Sequence, residues 1–337
     1  MENRKTNFLN QRTILLIAAF AAVYIFWGST YLAIKYAIET LPPFLMAGGR
    51  FIIAGAILFA VAFFSRDFER PKLAHWKTSF VVGTLLLLGG NGGVVFAERY
   101  ISSSLAALLV ATEPFWIVLL SWLWLKQSRP NLKTVAGIAL GFLGVWLLIS
   151  GQAHEAAGAG SMQFFGTIAV IAAAFSWALG SIYGLRAPVP KSAVLNSGMQ
   201  MLSGGIVLML VSLLSGEMLQ FDVAQVSASS WFGLVYLIVF GSLLGFTAYS
   251  WLLKNAQPAL VSTYAYVNPV VAVFLGWLIA SESFTQQTLF GAAIIVGSVA
   301  LITSKEKNDP PEEETEFKGN APTGSGMHDC RPASAST

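Results

Sequence analysis

The sequence predicts an all-α polytopic membrane protein whose ten transmembrane helices form two inverted five-helix repeats. Three observations lead to this fold class: long apolar blocks, a one-sided distribution of basic residues, and short sequence matches between the two halves. Hydrophobic residues make up 55% of the chain and charged residues 11%, whereas an ordinary soluble domain has about 25% charged residues. A soluble fold could not bury so much apolar surface.

The apolar blocks each cover about 20 residues, enough for an α-helix to cross a hydrocarbon core of about 30 Å. They are continuously apolar and rich in Leu, Ala and Ile, whereas the strands of a barrel would alternate apolar and polar residues. The first block has no suitable cleavage site, so we interpret it as a retained helix and not as a signal peptide. The predicted spans are 14–36, 44–64, 78–98, 103–125, 132–150, 164–185, 194–215, 231–253, 260–281 and 287–304.

The distribution of Lys and Arg predicts the orientation of these spans. If the N-terminus is cytoplasmic, all but three of the 20 Lys and Arg residues lie in cytoplasmic loops or ends. By the positive-inside rule we expect a multi-pass protein of the cell (inner or plasma) membrane with both termini in the cytoplasm. Because the basic residues are scattered through short loops, the net charge of +3 does not indicate a nucleic-acid partner.

The polar ends of the chain contain no predicted span. We expect residues 1–13 to form a cytoplasmic N-terminus. Residues 305–337 are rich in Pro, Glu, Gly, Ser and Thr and have almost nothing to bury, so we expect a disordered cytoplasmic tail. The single cysteine, Cys330, lies in this tail and cannot form an intramolecular disulfide.

Internal similarity divides the spans into a first repeat, residues 14–150, and a second repeat, residues 164–304. Residues 104–114 align with residues 259–269 at an offset of 155, and both segments end in a proline. Because each repeat has five helices, the second must enter the membrane from the opposite side, which makes the repeats inverted. This architecture favours alternating access.

Charged residues inside the spans are the first candidates for a site, because each is costly in a membrane unless it is paired or faces water. Arg50 and Glu98 are the candidate lining of an outer vestibule that binds or steers a charged solute. Alternatively, Arg50 pairs with Glu98 or with backbone carbonyls and locks helices together. Lys35 and Arg99 could simply extend to the membrane interface.

Polar and aromatic residues near mid-membrane are further candidates for solute contact. Asn91 lies among the glycines of the third span, where small residues allow close helix contact as well as flexing near a cavity. Trp27 and Trp177 occupy matching positions of the two repeats and lie too deep for an interfacial aromatic belt. They could pack against other helices or stack on an amine or apolar group of the solute, and so could Tyr264 and Tyr266.

Two proline motifs place the candidate solute site near the midplane. Glu113-Pro114 and Asn268-Pro269 are each about ten residues into their spans, hence roughly 15 Å deep. Each proline removes an amide donor and frees the carbonyl four residues earlier, which creates the broken-helix polarity found at transporter sites. A structural kink, with Glu113 protonated or hydrogen-bonded between helices, is the alternative. Glu113 could also exchange protons, so protons are a candidate coupling ion.

Four motifs carry a resemblance to a known family: residues 25–31 (IFWGSTY), 47–51 (AGGRF), 90–92 (GNG) with 97–98 (AE), and 262–271 (STYAYVNPVV). Together they resemble the drug/metabolite transporter superfamily, EamA type, and particularly its YedA-like permeases. The similarity covers roughly residues 14 to 304 and makes each repeat an EamA unit. The resemblance implies a ten-helix transporter of small metabolites, often an exporter of amino acids or related compounds, without specifying one substrate.

These features predict a secondary transporter that moves a small-molecule solute across the lipid bilayer by alternating access, with export the expected direction given the resemblance. The chain has no phosphate-loop, nucleophile-elbow or zinc-protease motif, so we expect neither an enzyme nor an ATP-driven pump. All three histidines lie in loops or the tail, and we expect no cofactor or metal. The alternatives are a channel-like facilitator, an intramembrane enzyme and a non-transporting membrane scaffold; oligomeric state is left open.

Overall fold

Every regular element in the part of the chain that the computed structural model describes is a helix. The described residues are 13–66, 68–125, 132–155, 160–256, 261, 264–282 and 285–303. The predicted tail, residues 305–337, lies outside them, as does all but the last residue of the predicted N-terminus.

The helices follow the apolar blocks of the sequence. They are α1 (Thr13–Ala37), α2 (Pro43–Phe63), α3 (Leu73–Ala97), α4 (Ser103–Val110), α5 (Glu113–Leu125), α6 (Leu132–Glu155), α7 (Gly160–Gly184), α8 (Ala193–Leu214), α9 (Glu217–Gln220), α10 (Ala228–Leu252), α11 (Tyr264–Ala280) and α12 (Gln286–Thr303). The helix of α10 continues to Asn255.

Seven stretches of helix among the described residues are long and apolar enough to cross a membrane. They lie in α1, α2, α3, α4 continued into α5, α7, α8 and α10. Three shorter apolar stretches, Leu132–Gly144, Val267–Ala280 and Leu289–Ser298, lie in α6, α11 and α12. The all-α membrane fold is therefore confirmed, whereas the count of ten spans stays a prediction.

The two proline motifs have different effects on their helices. Ala111 and Thr112 form a turn between α4 and α5, so Pro114 lies in the first turn of α5, where its missing amide hydrogen costs little. The hydroxyl of Thr112 donates to the Leu109 carbonyl at 2.7 Å and satisfies the end of α4. By contrast, α11 continues through Pro269. Pro269 therefore does not end its helix, and the predicted loss of the hydrogen bond to the Ala265 carbonyl stays a prediction.

Helices α2 and α8 pack antiparallel at glycine positions. A Cβ on Gly48 would lie 3.2 Å from the carbonyl oxygen of Gly205, and one on Gly198 would lie 3.2 Å from that of Gly55. Small residues allow this close approach of two backbones. On another face of α2, large apolar side chains at four-residue spacing are exposed and fit contact with lipid: Ile53, Ile57 and Val61.

The packing of the helices repeats between the two halves. Helix α3 packs on α7 as α10 packs on α1, and α5 packs on α7 as α11 packs on α1. The pairs α2 with α8 and α6 with α12 each join one helix to its counterpart. Exchanging the halves therefore leaves this contact pattern unchanged, as a two-fold relation between repeats requires. Their opposite orientation in the membrane stays a prediction.

In the described part of the chain, three helices contain π-helical stretches: Val23–Trp27 in α1, Thr84–Gly92 in α3 and Leu237–Leu244 in α10. Such turns are rare in proteins and are frequent at functional sites. The stretches in α3 and α10 occupy counterpart helices of the two halves. All three contribute residues to one internal cavity.

Candidate functional site

A cavity of about 90 Å³ lies where the two halves meet. Its walls come from α1 to α5 on one side of the sequence and from α7, α10 and α11 on the other. The lining residues are Trp27, Thr30, Tyr31, Ile34, Arg50, Phe51, Leu87, Gly90, Asn91, Val94, Val110, Glu113, Ala173, Ala174, Trp177, Gly241, Phe246, Tyr264 and Asn268. The lining is mainly apolar and aromatic with a few polar groups, as is typical of sites for small molecules.

Two tryptophans that the sequence pairs by position are in contact at the cavity. The rings of Trp27 and Trp177 meet edge to face, with centroids 6.3 Å apart and an interplanar angle of 86°. Trp27 Nε1 donates to the backbone carbonyl of Gly241 in α10 at 3.1 Å. The Trp27 ring also meets that of Tyr264 in α11 at 5.4 Å. Trp27 therefore joins helices of both halves.

Each of these tryptophans packs against a glycine of the opposite half. A Cβ on Gly90 would lie 2.8 Å from Trp177 Cε3, and a Cβ on Gly245 would lie 2.5 Å from Trp27 Nε1. No side chain larger than that of glycine fits at these positions unless the indole moves. The two contacts are counterparts in the two halves, which explains part of the glycine density that the sequence shows in the third span.

Arg50 places a buried guanidinium at the cavity. The residue is 4% exposed, and its Nε donates to Ser242 Oγ at 2.8 Å. Its Nη1 has no hydrogen-bond partner among the described residues, and no carboxylate in that part of the chain forms an ion pair with it. The alternative that Arg50 pairs with Glu98 is therefore wrong, since Ser242 provides the contact instead.

Glu113 places a buried carboxyl group at the same cavity. It begins α5 directly after the turn and is 4% exposed. The hydroxyl of Tyr264 in α11 lies 3.1 Å from both carboxyl oxygens and donates to them. Across the described residues no Lys, Arg or His forms an ion pair with Glu113. The expectation that Glu113 is hydrogen-bonded between helices agrees with this geometry.

Further polar atoms at the cavity are buried without a hydrogen-bond partner in the described part of the chain. They are Asn91 Oδ1, Asn268 Oδ1 and Trp177 Nε1. Such atoms are rare in folded proteins because each costs free energy when it is removed from water unpaired. One donor and two acceptors of residues that line the cavity therefore have no hydrogen-bond partner among the described residues.

A second polar cluster lies at the end of the bundle where α1 and α3 finish. Lys35 Nζ forms an ion pair with Glu282 Oε1 at 2.9 Å, and the Lys35 side chain is 36% exposed. That Lys35 extends to the membrane interface stays a prediction. Burial would raise the pKa of Glu282, but hydrogen bonds from Ser104, Lys35 and Ser103 and the charge of Lys35 outweigh burial and hold the pKa below its ordinary value. Glu282 is therefore ionised at neutral pH.

Comparison with known proteins assigns the chain to a family. The profile of the EamA-like transporter family matches residues 13–150 and 164–304. The chain belongs to the EamA-like transporter family. The two matched segments agree with the two repeats inferred from the sequence, and the resemblance based on four motifs is confirmed.

Several relatives of this EamA-like chain are named as transporters. The uncharacterized inner membrane transporter YedA of Escherichia coli K12 is 39% identical over 289 residues, which cover 86% of this chain and 90% of the relative. The uncharacterized transporter YvbV of Bacillus subtilis is 28% identical over 298 residues, which cover 88% of this chain and 93% of the relative. A solved crystal structure aligns with 87% of this chain and 97% of its own at a TM-score of 0.60 and 22% identity, which shows a shared fold.

The EamA-like fold brings most of the sequence-predicted site residues to one cavity. Those that line it are Trp27, Arg50, Asn91, Glu113, Trp177, Tyr264 and Asn268. Glu98, Pro114 and Pro269 are not among its lining residues, and the side chain of Tyr266 lies outside the described residues. Their roles in solute binding stay predictions.

Sequence reasoning missed Ser242 and Glu282. Ser242 is a small polar residue in an apolar span, and nothing in the sequence paired it with Arg50. Glu282 lies in the short connection between α11 and α12, outside the spans in which we searched for costly charges. The sequence does offer one indication: Glu282 directly follows the predicted span 260–281, and Lys35 lies at the end of the predicted span 14–36, so both are expected at the same side of the membrane.

Proposed function

We propose that this protein is a secondary transporter that exports a small organic metabolite, an amino acid or a related compound, by alternating access. The observation that carries this proposal is the cavity between the two halves, at which a guanidinium and a carboxyl group are buried without an ion-pair partner among the described residues. A buried charge is costly unless it is paired. A solute that brings the opposite charges would compensate both groups.

Amino acids fit the chemistry of this cavity. A carboxylate is the preferred bidentate partner of a guanidinium, and Arg50 Nη1 has no hydrogen-bond partner among the described residues. An ammonium group can pair with Glu113 and lie against the face of an aromatic ring such as that of Trp27. The amides of Asn91 and Asn268 could hydrogen-bond either group. A zwitterion therefore satisfies more of these atoms than a cation or an anion alone.

The repeated packing supports alternating access. Helices of both halves meet at the cavity, and their contact pattern is the same after exchange of the halves. In a second arrangement of the bundle, each half would adopt the conformation that the other half has in the first. The two arrangements would have similar energies and would open the cavity to opposite sides of the membrane. A transporter needs two such states, with the solute shifting the populations between them.

The test is flux through the purified full-length protein in lipid vesicles. Metabolites that differ between overexpressing and null cells identify the solutes to load. We expect saturable flux of an amino acid that is accelerated by unlabelled solute on the opposite side. Linear flux without counterflow would support the channel alternative, and absence of flux for every solute would support the scaffold.

An Arg50→Gln variant tests the proposed recognition of a carboxylate. Loss of a hydrogen bond to a charged group costs about 1.5–3 kcal/mol, so the half-saturation concentration for an amino acid should rise about tenfold or more. For the corresponding decarboxylated amine, if it is carried, the half-saturation concentration should rise much less. Arg99→Gln is the matched control, since Arg99 is exposed at the end of the bundle. An equal rise of the half-saturation concentration for both solutes would contradict the proposal that Arg50 binds the carboxylate.

A further inference from the structure

A cluster of charged and hydroxyl side chains joins the two halves away from the cavity. Lys35 lies in the last turn of α1, Glu98 directly follows α3, and Ser103 and Ser104 begin α4. Glu282 comes from the connection between α11 and α12 in the second half. We call these five residues the latch.

Glu282 is the centre of the latch. Its Oε1 accepts from Lys35 Nζ at 2.9 Å, from the Ser103 amide at 3.1 Å and from the Ser103 hydroxyl at 2.8 Å. Its Oε2 accepts from the Ser104 amide at 3.3 Å and from the Ser104 hydroxyl. One carboxylate of the second half thus binds two helices of the first half, and its negative charge suits the amino end of α4.

The backbone around Glu282 is shaped for this contact. Ser281 has a φ of 52°, the only described non-glycine residue with positive φ, and such a conformation is uncommon for residues other than glycine. The Glu282 amide donates to the Gly276 carbonyl at 3.0 Å. A Cβ on Gly276 would collide with Ser104 Oγ and Glu282 Oε2. Glu282 is therefore held in place by its own half before it binds the other.

Glu98 is the unexplained member of the latch. It is 6% exposed, and neither of its carboxyl oxygens has a hydrogen-bond partner in the described part of the chain. It is close enough to interact electrostatically with Glu282 and with Lys35. Glu98 belongs to the same half as Lys35, whereas the present partner of Lys35 belongs to the other half. Glu98 is thus a candidate second acceptor for Lys35 within the first half.

We propose that Lys35 exchanges carboxylate partners during the transport cycle: pairing with Glu282 holds this end of the bundle closed, and pairing with Glu98 stabilises it open. The inference rests on the proposed alternating access, because it requires that the halves separate at this end. Separation breaks the contacts of Glu282 with α1 and α4. Without Glu98 it would leave the ammonium group of Lys35 without its ion-pair partner, a modest cost because this side chain is 36% exposed. The exchange lowers that cost.

Thiol labelling measures how often this end opens. Cys330 is replaced by Ser, and a cysteine is placed at Thr30, which lines the cavity. Ser229→Cys, exposed at the same end, identifies the membrane face from which an impermeant reagent must be added. The labelling rate of Thr30→Cys from that face then reports the open population, and it needs no solute.

The proposal requires opposite effects from two isosteric substitutions. Glu282→Gln should raise the labelling rate about fivefold, and Glu98→Gln should lower it by a similar factor, since a coupling free energy of about 1 kcal/mol corresponds to a factor of about five. Glu39→Gln, an exposed carboxylate at the same end, should leave the rate unchanged.

Unchanged rates in both variants, or changes in the same direction, would overturn the exchange. The same shift in Glu39→Gln would also overturn it, because the effect would then not be specific to the latch. Membrane abundance and size-exclusion elution equal to those of the parent show that the variants fold. If labelling shifts as expected but no solute is carried, the transport proposal fails and the latch stands. If solute is carried but labelling is unaltered in every variant, the latch fails and the transport proposal stands.

Discussion

Glu113 and Asn268 occupy matching positions of the two repeats, and both line the cavity. The sequence offset of 155 between them was visible without a structure. The sequence did not show that their hydrogen bonds differ. Glu113 accepts from Tyr264, whereas Asn268 Oδ1 has no hydrogen-bond partner among the described residues. The two positions are therefore expected to contribute differently to transport.

A Glu113→Gln substitution removes the charge and keeps the shape of the side chain. If Glu113 pairs with a cationic group or carries a proton, transport should fall about tenfold or more at normal membrane abundance, or its pH dependence should change. Initial rates at several pH values in vesicles measure this. Glu217→Gln, whose carboxylate accepts from the Phe44 and Leu45 amides outside the cavity, should not change the pH profile. An unaltered Glu113→Gln transporter would reject the site.

An Asn268→Ala substitution removes a free acceptor from the cavity. We expect the half-saturation concentration to rise by about fivefold to tenfold, the equivalent of one neutral hydrogen bond, with a maximal rate that stays close to that of the parent. Asn255→Ala is the control, because Asn255 donates to the Trp251 carbonyl and does not line the cavity. The same kinetics in both variants would contradict the role of Asn268.

At the scale of elements, glycines and prolines behave according to their neighbours and not according to their type. Gly55 lies against α8, where a Cβ would be 2.8 Å from the Leu202 backbone nitrogen, whereas a Cβ on Gly49 of the same helix would meet nothing within 4 Å. Likewise Pro114 follows a turn, and Pro269 lies within a continuous helix. The sequence identified these residues but could not distinguish their surroundings.

This difference predicts opposite outcomes for two alanine substitutions in α2. Gly55→Ala forces the α2 and α8 backbones apart and should lower stability by about 1–3 kcal/mol, the usual cost of overpacking. Gly49→Ala should be neutral or slightly stabilising, since alanine favours a helix. Thermal unfolding of the purified variants in detergent measures both. A midpoint for Gly55→Ala equal to that of Gly49→Ala would show that the contact is looser than described.

At the scale of the whole molecule, the distribution of basic residues predicts which ends of the helices face the cytoplasm. Cys330 is replaced by Ser, and two single-cysteine variants are made. One has its cysteine at Ser229, which lies in the connection 216–230, and the other has it in the connection 65–77. An impermeant thiol reagent outside intact cells should label the cysteine at Ser229 and spare the one in the connection 65–77. The reverse pattern would refute the predicted orientation.

The sequence by itself determined the membrane class, the helical content and the two-repeat organisation, because these depend on hydropathy and periodicity that each segment carries locally. It also found most of the residues that line the cavity, since buried polar groups in apolar spans are rare. Only the tertiary structure decided that Arg50 binds Ser242, that Lys35 binds Glu282 and that the Glu98 carboxyl group accepts no hydrogen bond from the described residues. These pairings join residues far apart in the chain, so the relative placement of helices, and not any local pattern, selects them.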